Sequence, residues 1–194
     1  MNRFLLILTL AFVWGASTRA AQTDFSVTTT KGYVSYTVKA DWTVVGTHTE
    51  LPVTSTAFQI PNPVENGKVD STKLTVMTFD SEERDSSAFF RKFSQKIRSQ
   101  AKRAKYKSWE IYSQERKQGT AAYSLLNAYR QFPGAYVMVS VVWPRLPENP
   151  KDYDARMEAA CHFVLDSVSG GLGRNPKNRG EVNRKPSDEK EDRR

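Results

Sequence analysis

Three residues carry the thiol and imidazole groups that catalysis or metal binding would use: His48, Cys161 and His162. Together they could form a thiol–imidazole pair or ligate zinc. Cys161 and His162 are neighbours on a predicted helix, where successive side chains point about 100° apart, so they cannot face each other. His48 lies in the polar segment 46–50, which predicts a loop. We therefore predict no catalytic residue, no metal site and no cofactor, and a structural role for both histidines.

Four carboxylates cluster before a predicted helix: Asp80, Glu82, Glu83 and Asp85. Carboxylates at this density could hold a cation. The alternative is that they lie at the N-terminus of the helix, where the helix dipole stabilises negative charge. The second interpretation needs no bound ion, and we favour it.

The segment RKFSQKIRSQAKRAKYK, residues 91–107, has eight basic side chains and no acid. Its apolar residues repeat at helical spacing, so it predicts one helix over 86–105 with a buried stripe and an uninterrupted basic face. Exposed helix faces usually mix Glu and Lys, which stabilise each other four residues apart. A face of one sign is either ordinary solvated surface or a surface for an anionic partner. The candidate residues are Arg91, Lys92, Lys96, Arg98, Lys102, Arg103, Lys105 and Lys107.

The nature of that anion follows from where the aromatic residues fall. Nucleic-acid surfaces normally combine basic residues with aromatic or amide side chains that contact bases. Here the phenylalanines of the segment fall on the opposite, buried side of the predicted helix. We therefore expect an anionic lipid, a cell-envelope polymer or an acidic protein, and not nucleic acid.

Residues 1–20 have the three-part layout of a secretory signal peptide. A short positive start, Met1 to Arg3, precedes the apolar run Phe4 to Trp14 and small residues that end at Ala20. The eleven apolar residues span about 16 Å, roughly half of the bilayer core. We predict cleavage after Ala20, which lowers the formal charge from +8 to +6. The mature chain is expected to be soluble and either periplasmic or secreted.

The other end of the chain is rich in Gly, Pro, Asn and charged residues. Such a composition cannot bury enough apolar surface to offset the entropy of ordering. We predict that residues 170–194 form a disordered charged tail, either simply solvated or binding a partner. The chain has a single cysteine, so it has no internal disulfide, and Cys161 is either a buried thiol or a link between two chains.

Residues 21–169 are predicted to form one α+β domain. Alternating segments such as Tyr33 to Val38 and Lys73 to Phe79 predict strands, and three more strands follow the first helix. A second helix is predicted from Pro150 to Ser167, with Asn149 as its cap. This order predicts an antiparallel meander with two main helices packed on it.

The stretch GYVSYTVKADW, residues 32–42, is an aromatic-rich strand followed by a short turn and Trp42. It resembles the opening hairpin of the PsbP-like/DcrB-like family, in which a long strand pair and a C-terminal helix also complete the domain. The resemblance covers about residues 25–168 and implies an α/β/α sandwich. The family often has a proline before the Trp, where this chain has Lys39-Ala40-Asp41. It also implies a non-enzymatic accessory, chaperone or adaptor module without shared catalytic residues.

These observations lead to one main functional hypothesis and two alternatives. The main hypothesis is an exported, non-enzymatic binding module that acts on a protein partner, as a chaperone, adaptor or immunity protein does. Its surface would be the basic helix, a sheet face or the loop from Trp143 to Pro147. The first alternative is attachment to an anionic membrane or envelope polymer through residues 91–107. The second is an enzyme whose site the sequence does not reveal.

Overall fold

The computed structural model describes residues 21–50, 52–61, 72–82, 86–99 and 101–176. The predicted signal peptide and the predicted tail beyond residue 176 lie outside the described residues, and both stay predictions. Within the described ranges, neither helix has the length and apolar character needed to cross a bilayer.

The described residues form ten strands and two helices, arranged as two antiparallel sheets. The smaller sheet has the order β1-β2-β10, and the larger has the order β3-β4-β5-β9-β8-β7-β6. In chain order the elements are β1 Gln22–Thr28, β2 Gly32–Lys39, β3 Thr43–Glu50, β4 Val53–Gln59, β5 Lys73–Asp80, α1 Ser86–Arg98, β6 Lys102–Tyr106, β7 Trp109–Gln118, β8 Ala121–Phe132, β9 Ala135–Pro144, α2 Tyr153–Ser167 and β10 Ser169–Leu172.

The predicted fold class is wrong. The chain is mostly antiparallel β-sheet, in sheets of three and seven strands, and not an α/β/α sandwich built on two main helices. Two local outcomes explain the difference. The predicted helix over 86–105 ends at Arg98, and residues 102–106 pair with β7 as a strand. The first strands do not join the meander but form a separate sheet with β10.

The main core lies between the two sheets and α2. Strand β9 contributes Val137, Val139 and Val141 from one face, all without solvent exposure. They meet β2, which buries Val34 and Val38, and the apolar side of α2. Strict alternation places these valines on one face, and burial of their apolar surface stabilises the packing of the layers.

Helix α1 covers part of the opposite face of the large sheet. A second, smaller cluster forms there from Phe90 of α1 and from Phe79, Tyr112, Tyr129 and Met138 of four strands. The central strands of the large sheet are therefore covered on both faces, by α1 on one side and by the small sheet with α2 on the other.

Strand β10 brings the first residues of the predicted tail into the fold. Ser169–Leu172 pairs antiparallel with β2, so that Gly171 lies opposite Tyr33. The approach is close enough that a Cβ atom at Gly32 would lie 2.0 Å from the carbonyl oxygen of Gly171. Glycine at position 32 permits this pairing, and the ordered structure thus extends into residues assigned to the tail.

Candidate functional site

The eight basic residues of the predicted binding surface do not share one helix face. Four lie on α1, three on β6 and one in the turn that follows. The predicted helix is wrong beyond Arg98, and the basic face is divided between a helix and an edge strand. In chain order, the α1 residues are Arg91, Lys92, Lys96 and Arg98, the β6 residues are Lys102, Arg103 and Lys105, and the turn residue is Lys107.

The position of β6 gives its charges a structural role. It is the last strand of the large sheet, and Lys102, Arg103 and Lys105 are all exposed. Proteins often place lysine on such edges, because the charge hinders pairing with a strand of another molecule. The basic residues of β6 are therefore typical of a protected sheet edge. The use of the eight basic residues for an anionic partner stays a prediction.

Two acids outside the basic segment approach several of these basic residues. The Glu110 carboxylate lies 3.2 Å from the Arg103 guanidinium and 3.7 Å from that of Arg98. The hydrogen bond from Tyr112 and then these two arginines hold the pKa of Glu110 below its usual range. Lys107 lies 2.6 Å from Asp166 of α2. The surface is therefore less positive than the isolated segment.

Arg98 is held by aromatic rings at the end of α1. Its guanidinium lies 5.4 Å from the ring centre of Tyr112 and 5.3 Å from that of Tyr129. Both distances are in the range of cation–π attraction. Tyr129 is 3% exposed, and burial raises its pKa to about 12. The sequence contains no signal for this arrangement, because the two tyrosines lie on different strands.

The three residues with thiol or imidazole groups have structural surroundings. His48 lies on β3 and not in a loop, with its Nε2 3.3 Å from Glu50. Cys161 is fully buried in the core, and this burial raises the pKa of its thiol to about 12, so it is not a thiolate at neutral pH. His162 points instead toward β6, where its ring stacks on Tyr106 with centroids 3.8 Å apart.

The acid cluster before α1 is partly used in the fold. Asp80 accepts hydrogen bonds from the backbone N–H and the hydroxyl of Thr30, at 2.5 and 2.7 Å. Burial alone would raise the pKa of Asp80, but these hydrogen bonds outweigh it and lower the pKa. Glu82 pairs with Lys31 at 2.6 Å. Glu83 and Asp85 lie outside the described residues. Among residues that are described, no group of three or more His, Cys, Asp or Glu could hold a metal ion.

An apolar groove of about 410 Å³ lies where β3 begins. Trp42 and Phe163 face each other across an edge contact of 6.4 Å, and Lys39 lies 5.9 Å above the Phe163 ring. The volume lies within the range of small-ligand and side-chain pockets. The apolar part of its lining comes from Trp42, Ile60, Pro61, Met157, Ala160 and Phe163. We refer to it as the Trp42 groove. Sequence reasoning missed it, because its residues come from two strand ends and one helix.

Strand β3 extends from this groove as the other edge of the large sheet. All of its eight residues are exposed, among them Val44 at 46% and Val45 at 44%. Its only carboxylate is Glu50, and it has no lysine or arginine. A bulge interrupts its pairing with β4 between Val44 and Gly46.

A third feature is a charged cleft of about 490 Å³ between α2 and strands β7–β9. Trp143 donates its indole N–H to Asp154 at 2.6 Å, and Arg145 pairs with Glu115. The loop proposed from sequence as a binding surface thus has a buried Trp143 and a paired Arg145, while Leu146 is 41% exposed. The charges in this cleft are largely compensated by each other.

No known protein family matches the chain, and no curated protein matches it. The solved structures that are similar to it include two at low identity. A crystal structure from Bacteroides thetaiotaomicron VPI-5482 has 13% identity and a TM-score of 0.44, covering 73% of this chain and 48% of that one. The crystal structure of LpqN, involved in cell envelope biogenesis of Mycobacterium tuberculosis, has 8% identity and a TM-score of 0.41, covering 77% and 91%. The chain spans about half the length of the Bacteroides protein. Its resemblance to PsbP-like/DcrB-like domains stays a prediction.

Proposed function

We propose that this chain is an exported, non-enzymatic binding module that recognises a protein partner, and that an extended segment of the partner docks along β3. The observation that carries the proposal is the juxtaposition of the Trp42 groove with an open strand edge that lacks basic residues. The module would act outside the cytoplasm, in the periplasm or in the medium.

The open edge supplies the affinity. Strand β3 pairs only with β4 in the described structure, so the backbone groups on its outer side are available to another strand. Strand addition to such an edge is a common mode of peptide recognition, in which main-chain hydrogen bonds bind the segment and neighbouring pockets select its side chains.

The groove supplies the selectivity. Val44 follows Trp42 by two residues and pairs with Phe58, which precedes Ile60 by two residues. Trp42 and Ile60 line the groove, so the exposed Val44 continues its apolar wall along the edge. A segment added to β3 would therefore place an apolar side chain near the groove. We expect a partner segment that is β-prone and carries at least one large apolar residue.

The experiment is a pull-down with tagged residues 21–194 from an extract of the source cells, at low salt and at about 0.5 M salt, where exposed charges are screened. The test variant is Thr47→Lys with Thr49→Lys, because lysine on an edge hinders strand addition. Both threonines are exposed, so stability should change by less than about 0.5 kcal/mol. The control is Thr23→Lys with Thr28→Lys, which adds the same charge to exposed positions of β1.

The proposal is supported if one protein is captured in stoichiometric amount and stays bound at high salt. Its captured amount should fall by about tenfold or more with the β3 variant and stay unchanged with the β1 variant. Retention by the β3 variant contradicts docking on this edge. Capture only of lipid or polymer that washes off in salt favours the alternative, attachment through the basic residues of α1 and β6.

A further inference from the structure

We propose that a cleft at the end of α1 binds a small aromatic carboxylate. The cleft has a volume of about 250 Å³, and we refer to it as the Arg98 cleft. It lies on the face of the large sheet that α1 covers and is separate from β3 and the Trp42 groove. The residues that line it include Phe90, Arg98, Glu110, Tyr129, Arg130 and Tyr136.

Buried hydrogen-bond donors near the Arg98 cleft lack partners among the described residues. Tyr129 and Asn127 are 3% and 2% exposed, yet the Tyr129 hydroxyl and the Asn127 amide nitrogen have no hydrogen-bond partner in the part of the chain that the structure describes. The two residues are two positions apart on β8, so they point to the same face of the sheet. The buried amide nitrogen of Gln114, on neighbouring β7, is also without a partner.

All three groups can donate a hydrogen bond, and buried donors are normally paired. Of the three, Tyr129 lines the Arg98 cleft, whereas Gln114 lines the charged cleft between α2 and strands β7–β9. An anion bound in the Arg98 cleft would lie beside the Tyr129 hydroxyl and supply its missing acceptor. A buried water is the competing explanation, and the experiment below separates the two.

Arg98 presents a positively charged guanidinium at the cleft. The rings of Tyr112 and Tyr129 hold its guanidinium in place. Its distance of 3.7 Å from Glu110 exceeds that of a charge-assisted hydrogen bond, which is about 2.7–2.9 Å. Guanidinium donors therefore remain for an incoming carboxylate, which arginine can bind through two parallel hydrogen bonds. Arg130 does not add its charge to this site, because its guanidinium lies 4.4 Å from the ring centre of Phe132, on the opposite face of the sheet.

The aromatic walls define the rest of the ligand. Phe90 and Tyr136 stack with ring centres 4.8 Å apart, and Phe90 meets Tyr129 edge to face at 5.7 Å. Such walls favour a flat apolar group. The volume lies below the usual range of about 300–1,000 Å³ for drug-sized ligands, which favours a molecule with a single ring.

The test is a titration of residues 21–194 with benzoate and with phenylacetate. Binding is measured by calorimetry and by NMR of the Arg98 side chain. Benzyl alcohol serves as a probe of similar shape without the charge. We expect saturable binding of at least one carboxylate and none of the alcohol. Arg98→Gln should weaken binding by about tenfold or more. Lys92→Gln, which removes an exposed charge from the same helix, should leave the affinity unchanged.

Tyr129→Phe separates ligand from water. If the hydroxyl awaits a ligand, this variant should bind several-fold more weakly and unfold at the same or a higher temperature, because an unpaired buried donor has been removed. A lower unfolding temperature with unchanged affinity would assign the hydroxyl to a buried water and overturn the proposal. Absence of saturable binding to either carboxylate, or equal affinity of Arg98→Gln, would also overturn it.

Discussion

The two edges of the seven-stranded sheet are built from opposite kinds of residue. Strand β6 has the sequence KRAKY, with its three basic side chains exposed to solvent. Strand β3 has the sequence TVVGTHTE and exposes all eight residues without one lysine or arginine. Both strands end the same sheet, so topology alone does not explain the difference.

One edge of the sheet exposes three basic side chains, and the other exposes no lysine or arginine. A strand edge exposes unpaired backbone groups, and lysine is a common means of keeping other chains away from it. On β3 only the bulge near Val45 provides a similar hindrance. The basic residues of β6 therefore stand where charge would hinder strand addition, and we propose β3, which has no lysine or arginine, as the edge for a partner.

The largest expected effect concerns how each edge is attached to the core. Strand β3 has no buried side chain of its own, so its hairpin depends on Phe58 of β4, which is fully buried against Phe25 and Tyr36. Phe58→Ala should lower the free energy of unfolding by about 3–5 kcal/mol, as measured by urea denaturation.

The matched variant on the other edge is Tyr106→Ala. Tyr106 is half-buried, stacks on His162 and donates its hydroxyl to Asp166 at 3.0 Å. Its loss should cost about 1–2 kcal/mol. Equal losses in the free energy of unfolding for the two variants would mean that the two edges are attached to the core with similar strength.

Removing the charge from β6 should make the two edges alike. The variant Lys102→Gln, Arg103→Gln, Lys105→Gln should change the free energy of unfolding by less than about 1 kcal/mol, since its ion pair is exposed. Because its edge is then unprotected, the variant should form oligomers that increase with concentration in analytical ultracentrifugation.

The control for this variant removes three exposed basic residues that lie away from β6, with Lys92, Lys151 and Arg174 changed to Gln. It lowers the net charge equally. Association of both variants to the same extent would mean that net charge keeps the protein monomeric, and the edge itself would have no special role.

The smallest expected effect is a pH dependence at β6. The hydrogen bond from Lys107 holds the pKa of Asp166 below its ordinary value of 3.8. A carboxylate with a lowered pKa contributes stability above its unfolded pKa, and this contribution is lost as the pH falls through its folded pKa. The wild type should therefore lose slightly more stability than Asp166→Asn when the pH falls below about 4. Identical acid sensitivity in urea denaturation at about pH 5 and pH 2 would contradict this. The effect is small because Asp166 is exposed.

Several elements could be predicted from sequence because their buried face follows a simple period. The alternation from Tyr33 to Val38 is confirmed as the centre of β2, and Lys73 to Phe79 as β5. The last helix is confirmed over Tyr153–Ser167, but its N-cap is Asp152 and not the predicted Asn149. In each case one side of the element faces the core, so the spacing of apolar residues directly reflects the structure.

Other elements could not be predicted because distant partners decide them. Ala101 and Ala104 continue the helical spacing of α1 in the sequence. Residues 102–106 nevertheless gain backbone hydrogen bonds to β7, and this pairing also places Tyr106 against α2. Strand β10 forms because Gly32 permits close pairing with a glycine-rich segment more than 130 residues later. The segment 46–50, predicted as a loop, lies on β3, which exposes every residue and so has no buried face that the sequence could reveal.

The sequence by itself determined the strongly alternating strands, the last helix and the excess of positive charge, because these depend on neighbouring residues alone. Only the tertiary structure decided which charges lie together. Glu110 and Asp166 approach the basic residues because β7 and α2 pack beside β6. Packing of α1 against the sheet also placed Arg98 beside two tyrosines, and strand pairing left β3, without lysine or arginine, at the other edge. Strand pairing and packing join residues far apart in the chain, and local spacing does not encode such contacts.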